Sequence, residues 1–379
     1  MKTNQPTEVD IAIIGGGVAG CTAAIALSDC YKVAVIDKLV EPIDRIGECL
    51  APAARRILKR LNLIEEFENK ITTSEKKIQQ RNNGIQSYWG SEKVQITDSL
   101  RNPDGFGWQL NRKEFEIYLR ESTQQRIIDC FWGYKLHHCQ YENLHWILNF
   151  TTNNTPSETL TIKAKFVIDA SGRQSHFARK LGIEREVIDK LISCWATLTN
   201  EEISKLSTIS ADELGWWYSA PLPNNKRVLA LQTDSDLMER ANLKSKDAFL
   251  QLALANPQME SIISKNKHNI QFNGTVSANS TKLFQVAGQQ WAALGDAAIS
   301  FDPLSSQGMF NAMASALQLT DLLQEFEIIN ELNLKKQQQF QTTYTNQINQ
   351  IWEHYLKHKR IFYSQELRWK DSEFWKRRI

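Results

Sequence analysis

Residues Val9–Ile14 form a short apolar run that ends in Gly15-Gly16-Gly17-Val18-Ala19-Gly20, and this junction limits the fold more than any other stretch of the chain. An alanine-rich helical segment follows to about Ser28, then a second apolar strand from Lys32 to Ile36 that ends at Asp37. Strand, glycine turn, helix and strand in this order make a β-α-β unit, the start of a parallel sheet. Gly15, Gly17 and Gly20 stand in GxGxxG spacing. The first glycine allows the tight turn, the second lets a pyrophosphate approach the backbone, and the third lets helix and strand pack closely. The helix N-terminus then offers amide donors and a partial positive charge to the phosphates. Asp37, seventeen residues after Gly20, stands where a carboxylate can accept both ribose hydroxyls, and Lys38 joins it as a candidate contact.

The glycine turn does not by itself choose between dinucleotides. Further segments along the chain do. Phe166 to Arg173 places the small-residue turn Asp169-Ala170-Ser171-Gly172 after a buried strand, where the chain can pass close to a cofactor. Trp291 to Ala298 ends another strand in Gly295-Asp296, whose carboxylate can bond the ribityl chain of a flavin. Asp302-Pro303-Leu304-Ser305-Ser306-Gln307-Gly308-Met309 follows at the start of a helix, and its amides and helix dipole can stabilise negative charge at N1 and O2 of reduced flavin. Each segment alone reads equally well as an ordinary strand-to-helix turn. The three in this order predict noncovalent FAD.

With 379 residues, 42% hydrophobic and 23% charged, the chain can bury a full core. Its net charge of +2 gives no global field favouring nucleic acid or an anionic membrane. No apolar run approaches the ~20 residues of a membrane helix. Cys21, Cys30, Cys49, Cys130, Cys139 and Cys194 form no CxxC pair, which reads as reduced thiols in a cytoplasmic protein and not as a disulfide framework or metal site. The polar start of the chain reads as neither a signal nor a transit peptide. Short alternating runs near 85–110 and 190–285, such as Val228 to Thr233, suggest an antiparallel sheet in a second lobe. The charged, glutamine-rich C-terminal stretch has helical period.

The expected fold is therefore α/β, a Rossmann-like FAD-binding domain with an inserted antiparallel-sheet substrate domain and C-terminal helices. Residues 1–80, 111–185 and 286–325 belong to the first domain in this reading. Residues 81–110 and 186–285 belong to the second, and 326–379 are the C-terminal helices.

In these segments the chain resembles the FAD-dependent monooxygenases of the aromatic-hydroxylase superfamily, related to the glutathione-reductase type of FAD domain. Ile46-Gly47-Glu48-Cys49-Leu50-Ala51-Pro52, Asp104 to Arg112 and Gly215-Trp216-Trp217-Tyr218 are similar to the tryptophan-halogenase-like branch. That resemblance implies a cofactor role for Glu48 and Arg112, although Arg112 also reads as a surface arginine at a helix beginning at Lys113. The full cofactor set is Gly15, Gly17, Gly20, Asp37, Lys38, Glu48, Arg112, Asp169, Ala170, Gly172, Gly295, Asp296, Pro303, Ser306, Gln307, Gly308 and Met309. Trp216, Trp217, Tyr218 and Pro221 read either as walls of a substrate pocket or as plain core.

The halogenase pattern is incomplete. Tyr218 and Ala220 replace the Trp and Ile of its WxWxIP segment, and Ser305 stands where halogenases place a glutamate that works with a lysine. Lys76 or Lys77 could supply that lysine, yet without the carboxylate it reads as a solvated residue. The stretch from Phe362 to Arg378 looks like the ending of flavoproteins of the LodB/GoxB type, maturases of quinone-cofactor oxidases. That resemblance implies a monooxygenase using O2 on a tryptophan side chain of a precursor oxidase, during cysteine tryptophylquinone biogenesis of the glycine or lysine oxidase kind. Hydroxylation or halogenation of a free aromatic molecule, and a noncatalytic flavin-containing chaperone, are the alternatives. The electron source is NAD(P)H or an external reductase. His137-His138 lacks a pairing pattern, and no catalytic acid or base is assigned.

Overall fold

A computed structural model describes residues 6–69, 77–99, 102–152, 159–202, 204–240, 245–266 and 269–379. The first strand, Thr7–Ile14, is buried from Ile11 to Ile14 and pairs in parallel with Val33–Asp37 on one side and Thr159–Asp169 on the other. Strands buried on both faces carry continuous Val, Ile and Ala, as here. Ile128–Trp132 and Trp291–Ala293 extend the sheet in parallel at its two sides. An antiparallel hairpin, Tyr134–Glu142 and His145–Thr152, is added through Thr159–Asp169, and Ala287–Gly288, antiparallel to Trp291–Ala293, completes eight strands. Helix Val18–Leu27 is buried all round, held between the sheet and helices Arg112–Gln124 and Gly308–Glu325.

The second sheet has seven strands, in the order Gln271–Ser277, Leu191–Thr199, Lys226–Asp234, Gly215–Leu222, Leu206–Asp212, Gly84–Tyr88 and Gln95–Asp98. All neighbours are antiparallel except Leu206–Asp212 with Gly84–Tyr88, which run parallel. The sequence reading expected an antiparallel sheet throughout. The exception arises because the two strands are separated by a long excursion through the first sheet, a connection that permits either direction.

Alternation along these strands sorts residues between two layers. Cys194, Ala196, Leu198, Trp217, Leu229 and Leu231 pack against helices Lys246–Ala255 and Pro257–Lys265 through Phe249, Met259 and Ile263. Trp195, Ala220, Val228 and Ala230 point the other way, where Ile46 and Tyr218 pack on them. A 31-residue helix, Leu334–Ser364, lies over the body and buries Phe340, Tyr344, Ile348, Trp352, Tyr355 and Tyr363 at helical spacing. The fold is thus mixed α/β, a Rossmann-like FAD-type domain with a further, largely antiparallel sheet and C-terminal helices.

Candidate functional site

The glycine turn shows why its residues lack side chains. Gly15 has φ +117°, and a Cβ there would sit 2.3 Å from the carbonyl oxygen of Ala170; one at Gly20 would sit 1.8 Å from the oxygen of Gly15. Gly17, the N-cap of helix Val18–Leu27, has no atom within 4 Å of a built Cβ, so its backbone is open to a ligand. Two glycines therefore serve packing and the middle one leaves room, the division a pyrophosphate turn needs. Asp37 braces the turn: its Oδ2 accepts from the amide of Gly16 at 2.6 Å and its Oδ1 from that of Leu39 at 2.7 Å. Arg120 approaches Asp37 at 3.3 Å, donates to the oxygens of Gly16, Leu39 and Val40, and lies over the ring of Trp132. The sequence reading missed Arg120, although it follows Arg112 by two helical turns on one face.

The second and third segments converge on this turn. Ala170 donates its amide to the oxygen of Ile14 and crosses directly over Gly15. Asp169 is fully buried, and its carboxylate accepts from Ser171 and from the amides of Phe177 and Ala178. Its structural task is to tie the strand to helix His176–Lys180, which leaves Ala170 and Gly172 as the parts of that segment able to meet a ligand. Gly172 has φ +68° and open space beside it. Gly295, at φ +56°, packs against Ala19, and its amide donates to Ser315. Asp296 stays 40% exposed beside Arg173 at 3.7 Å. Lys38 reaches Gln174 at 2.7 Å, joining the end of the second strand to the same turn.

Pro303–Ser305 form a single 3₁₀ turn, Ser306 adopts φ +50°, and helix Gly308–Glu325 starts from Gln307 as N-cap. Pro303, Gln307 and Gly308 are exposed while Met309 is buried in the core. No atom lies within 4 Å of a Cβ built on Gly308. Helix Arg112–Gln124 is capped by Asn111, whose side chain accepts from Glu114, so Arg112 is its first residue. The helix therefore does not begin at Lys113, and Arg112 is 16% exposed, bonded to Glu116 at 2.8 Å and to the oxygen of Gly47 at 2.9 Å. Glu48, 3% exposed, accepts from the amide of Gly47 at 3.0 Å. Burial pushes its carboxyl up to about 7, against the weaker opposing pull of the Gly47 amide and Arg112.

Open backbone at Gly17, Gly172 and Gly308, two helix N-termini and an exposed Asp296 fit one elongated dinucleotide. A family model described as an FAD binding domain matches residues 8–328. The chain belongs to that family. This flavoprotein is an FAD-dependent oxidoreductase. It is 27% identical over 376 residues to LodB of Marinomonas mediterranea, described as an FAD-dependent oxidoreductase, covering 97% of this chain and 96% of that protein. Its fold is similar to that of the myxobacterial chondrochloren halogenase CndH, with TM-score 0.83 and 20% identity over 98% of this chain and 86% of that one. It is also similar to the peptidyl tryptophan dihydroxylase QhpG, essential for tryptophylquinone cofactor biogenesis, with TM-score 0.76 and 19% identity over 98% and 79%.

In the flavoprotein, Trp216 and Trp217 do not line one wall. Successive strand residues face opposite sides, so Trp217 stacks near Phe249 beneath the helical layer. Trp216 packs with Trp89 and donates its indole N–H to the Tyr363 hydroxyl at 3.1 Å. Both are 1% exposed and packed among core residues. Pro221 is buried near the end of its strand. Tyr218 alone of the four is partly open, and it shares Gln109 with Ser207, at 3.3 and 2.8 Å from the Gln109 amide nitrogen. Lys76 lies outside the described residues. Lys77 is exposed, and its backbone pairs with Asn224. His137 and His138 are exposed on a strand. Among the described residues no cluster of three metal-ligating side chains exists, no helix is long and apolar enough to cross a membrane, and the six cysteines form no disulfide.

Proposed function

We propose that this flavoprotein is a monooxygenase that oxygenates a tryptophan side chain of a precursor oxidase during cysteine tryptophylquinone biogenesis. The observation that carries the reading is the match to LodB along nearly the whole chain, in a sequence with Ser305 at the halogenase glutamate position. The fold shared with QhpG supports a peptidyl tryptophan as the substrate class. The same resemblance favours this reading over halogenation, because a serine cannot replace the carboxylate partner of a halogen-carrying lysine.

In this reading Gly15, Gly17, Gly20 and the amides at the start of helix Val18–Leu27 hold the pyrophosphate. Asp37 and Lys38 lie at the ribose of the adenosine half, and Asp296 takes the ribityl chain. Ala170, Gly172, Glu48 and Arg112 flank the middle of the cofactor, with Asp169 behind them. Pro303, Ser306, Gln307, Gly308 and Met309 present the helix N-terminus to the ring. Bound FAD, once reduced, supplies the activation of O2. One oxygen atom enters a ring C–H bond and the other leaves as water, with two electrons from NAD(P)H or an external reductase. Tyr218 and Ile46, packed together over Trp195, exclude water on the sheet side.

Coexpression with a precursor oxidase of the glycine or lysine oxidase kind tests this. The expected result is quinone absorbance, and added oxygen on the precursor tryptophan by mass spectrometry, only when the flavoprotein is present and Asp296 is intact. Equal quinone formation without it would sink the proposal. Quinone formation with a flavin-free Asp296→Ala protein would establish a chaperone instead.

A further inference from the structure

Behind the segment 303–309 lies a buried charged group that the cofactor reading does not use. Asp302 is 1% exposed. Its Oδ1 accepts from the amide of Leu304 at 2.9 Å, and its carbonyl oxygen accepts from the amide and hydroxyl of Ser305 at 3.1 and 2.9 Å. The turn that presents Ser306 to Met309 is thus built around this residue. Its remaining contacts come from far along the chain. The Tyr363 hydroxyl donates to Oδ2 at 2.8 Å, and Tyr363 in turn accepts from Trp216. The backbone amide of Asp302 donates to the Tyr355 hydroxyl at 2.9 Å. Lys359, 9% exposed, stands 3.5 Å from the same Oδ2 and also pairs with Asp189 and Ser280.

We propose that Asp302 and Lys359 are positioning residues whose paired charges, locked by Tyr363, set the reduction potential of the flavin held by residues 303–309. The inference rests on the assignment of that segment to the cofactor and is independent of the substrate. A buried fixed charge acts over several ångströms with less screening than one in water. Reduction adds negative charge to the flavin, so a carboxylate behind the turn opposes it and an ammonium group favours it. Asp302 and Lys359 therefore pull in opposite directions, and their pairing leaves a small residual field. Asp189, on the far side of Lys359, shares the cation and makes the pair asymmetric. A group that served only to hold the turn would give no such opposition of sign.

The experiment measures flavin midpoint potential on FAD-loaded, full-length protein by dye-coupled titration, with FAD content and melting temperature recorded for each variant. Asp302→Asn, which keeps the shape and a hydrogen-bonding side chain, is expected to raise the potential. Lys359→Met is expected to lower it, Lys359→Arg to return it towards the parent value, and Lys357→Met, at an exposed helix position, to leave it unchanged. Potentials that all move one way, or do not move while FAD is retained, overturn the inference. If Asp302→Asn does not fold, the Lys359→Met and Lys359→Arg pair decides the sign alone. A folded parent protein that binds no FAD would instead refute the cofactor reading on which the inference stands.

Discussion

At the scale of single residues, the three glycines of the N-terminal turn give separable outcomes. Gly20→Ala places a methyl group 1.8 Å from a backbone oxygen. That variant is expected to lose several kcal/mol of stability together with its flavin. Gly17→Ala has free space and a φ of −88°, so it is expected to fold with near-parent melting temperature but to bind FAD at least tenfold more weakly. Calorimetry and a flavin titration on the two variants separate packing from ligand contact. Glu48 makes a second residue-scale prediction, on pH. Its carboxyl titrates near 7 in the fold against 4.5 for an exposed glutamate, because burial penalises the charged form. A group raised in this way lends stability that is complete below the unfolded value and disappears as pH rises through the folded one. The apoprotein is expected to lose at most about 3 kcal/mol between pH 4.5 and 8 from this site. Denaturant melts of Glu48→Gln should lack that slope; an unchanged slope would place the titration elsewhere.

At the scale of elements, cap and turn residues control how the helices aim their ends. Asn111→Ala removes the bond to the amide of Glu114 and is expected to cost about 1 kcal/mol. It shifts the first helical turn, so Arg112 should also release Gly47, seen as faster exchange of flavin. Ser306 holds φ +50° without being glycine. Ser306→Gly is expected to be neutral or mildly stabilising, and Ser306→Val to cost about 1–2 kcal/mol in chemical melts, since a β-branched residue resists that conformation. These elements were the readable part of the sequence. The strand, turn and helix around Gly15 to Gly20 are local, and so are the small-residue turns at Ala170 and Gly295, which is why they could be placed from spacing alone. Trp216 and Trp217 were harder. Period-two alternation says that they part company, but which of the two faces the flavin lobe depends on strands that the residues themselves do not encode. Arg120 escaped notice because its partners, Gly16 and Asp37, lie 104 and 83 residues away.

For the whole molecule, long-range polar contacts fasten the C-terminal stretch to both lobes. Asp234 is 1% exposed and receives Arg377 at 2.7 Å and Arg378, which itself lies on the ring of Phe374. Removing the buried partner leaves the carboxylate only the partly exposed Arg377, so Arg378→Ala is expected to cost up to about 3 kcal/mol. Arg377→Ala, at a partly exposed site, should cost under about 1 kcal/mol. Equilibrium unfolding checks both, and equal losses would refute the difference in burial as the cause. None of this was visible in the sequence, where Asp234 and Arg378 stand 144 residues apart. The order of contacts has a temporal side as well. The loop that starts at Asp302 waits for Tyr363, 61 residues further on, before its carboxylate is fully engaged. A chain emerging from the ribosome therefore makes its glycine turn early and completes the loop at Asp302 late. Under the proposed cofactor reading, flavin colour is expected to appear only once Tyr363 has been made, and arrested nascent chains that stop short of Tyr355 are expected to hold adenosine diphosphate far better than they hold the flavin ring.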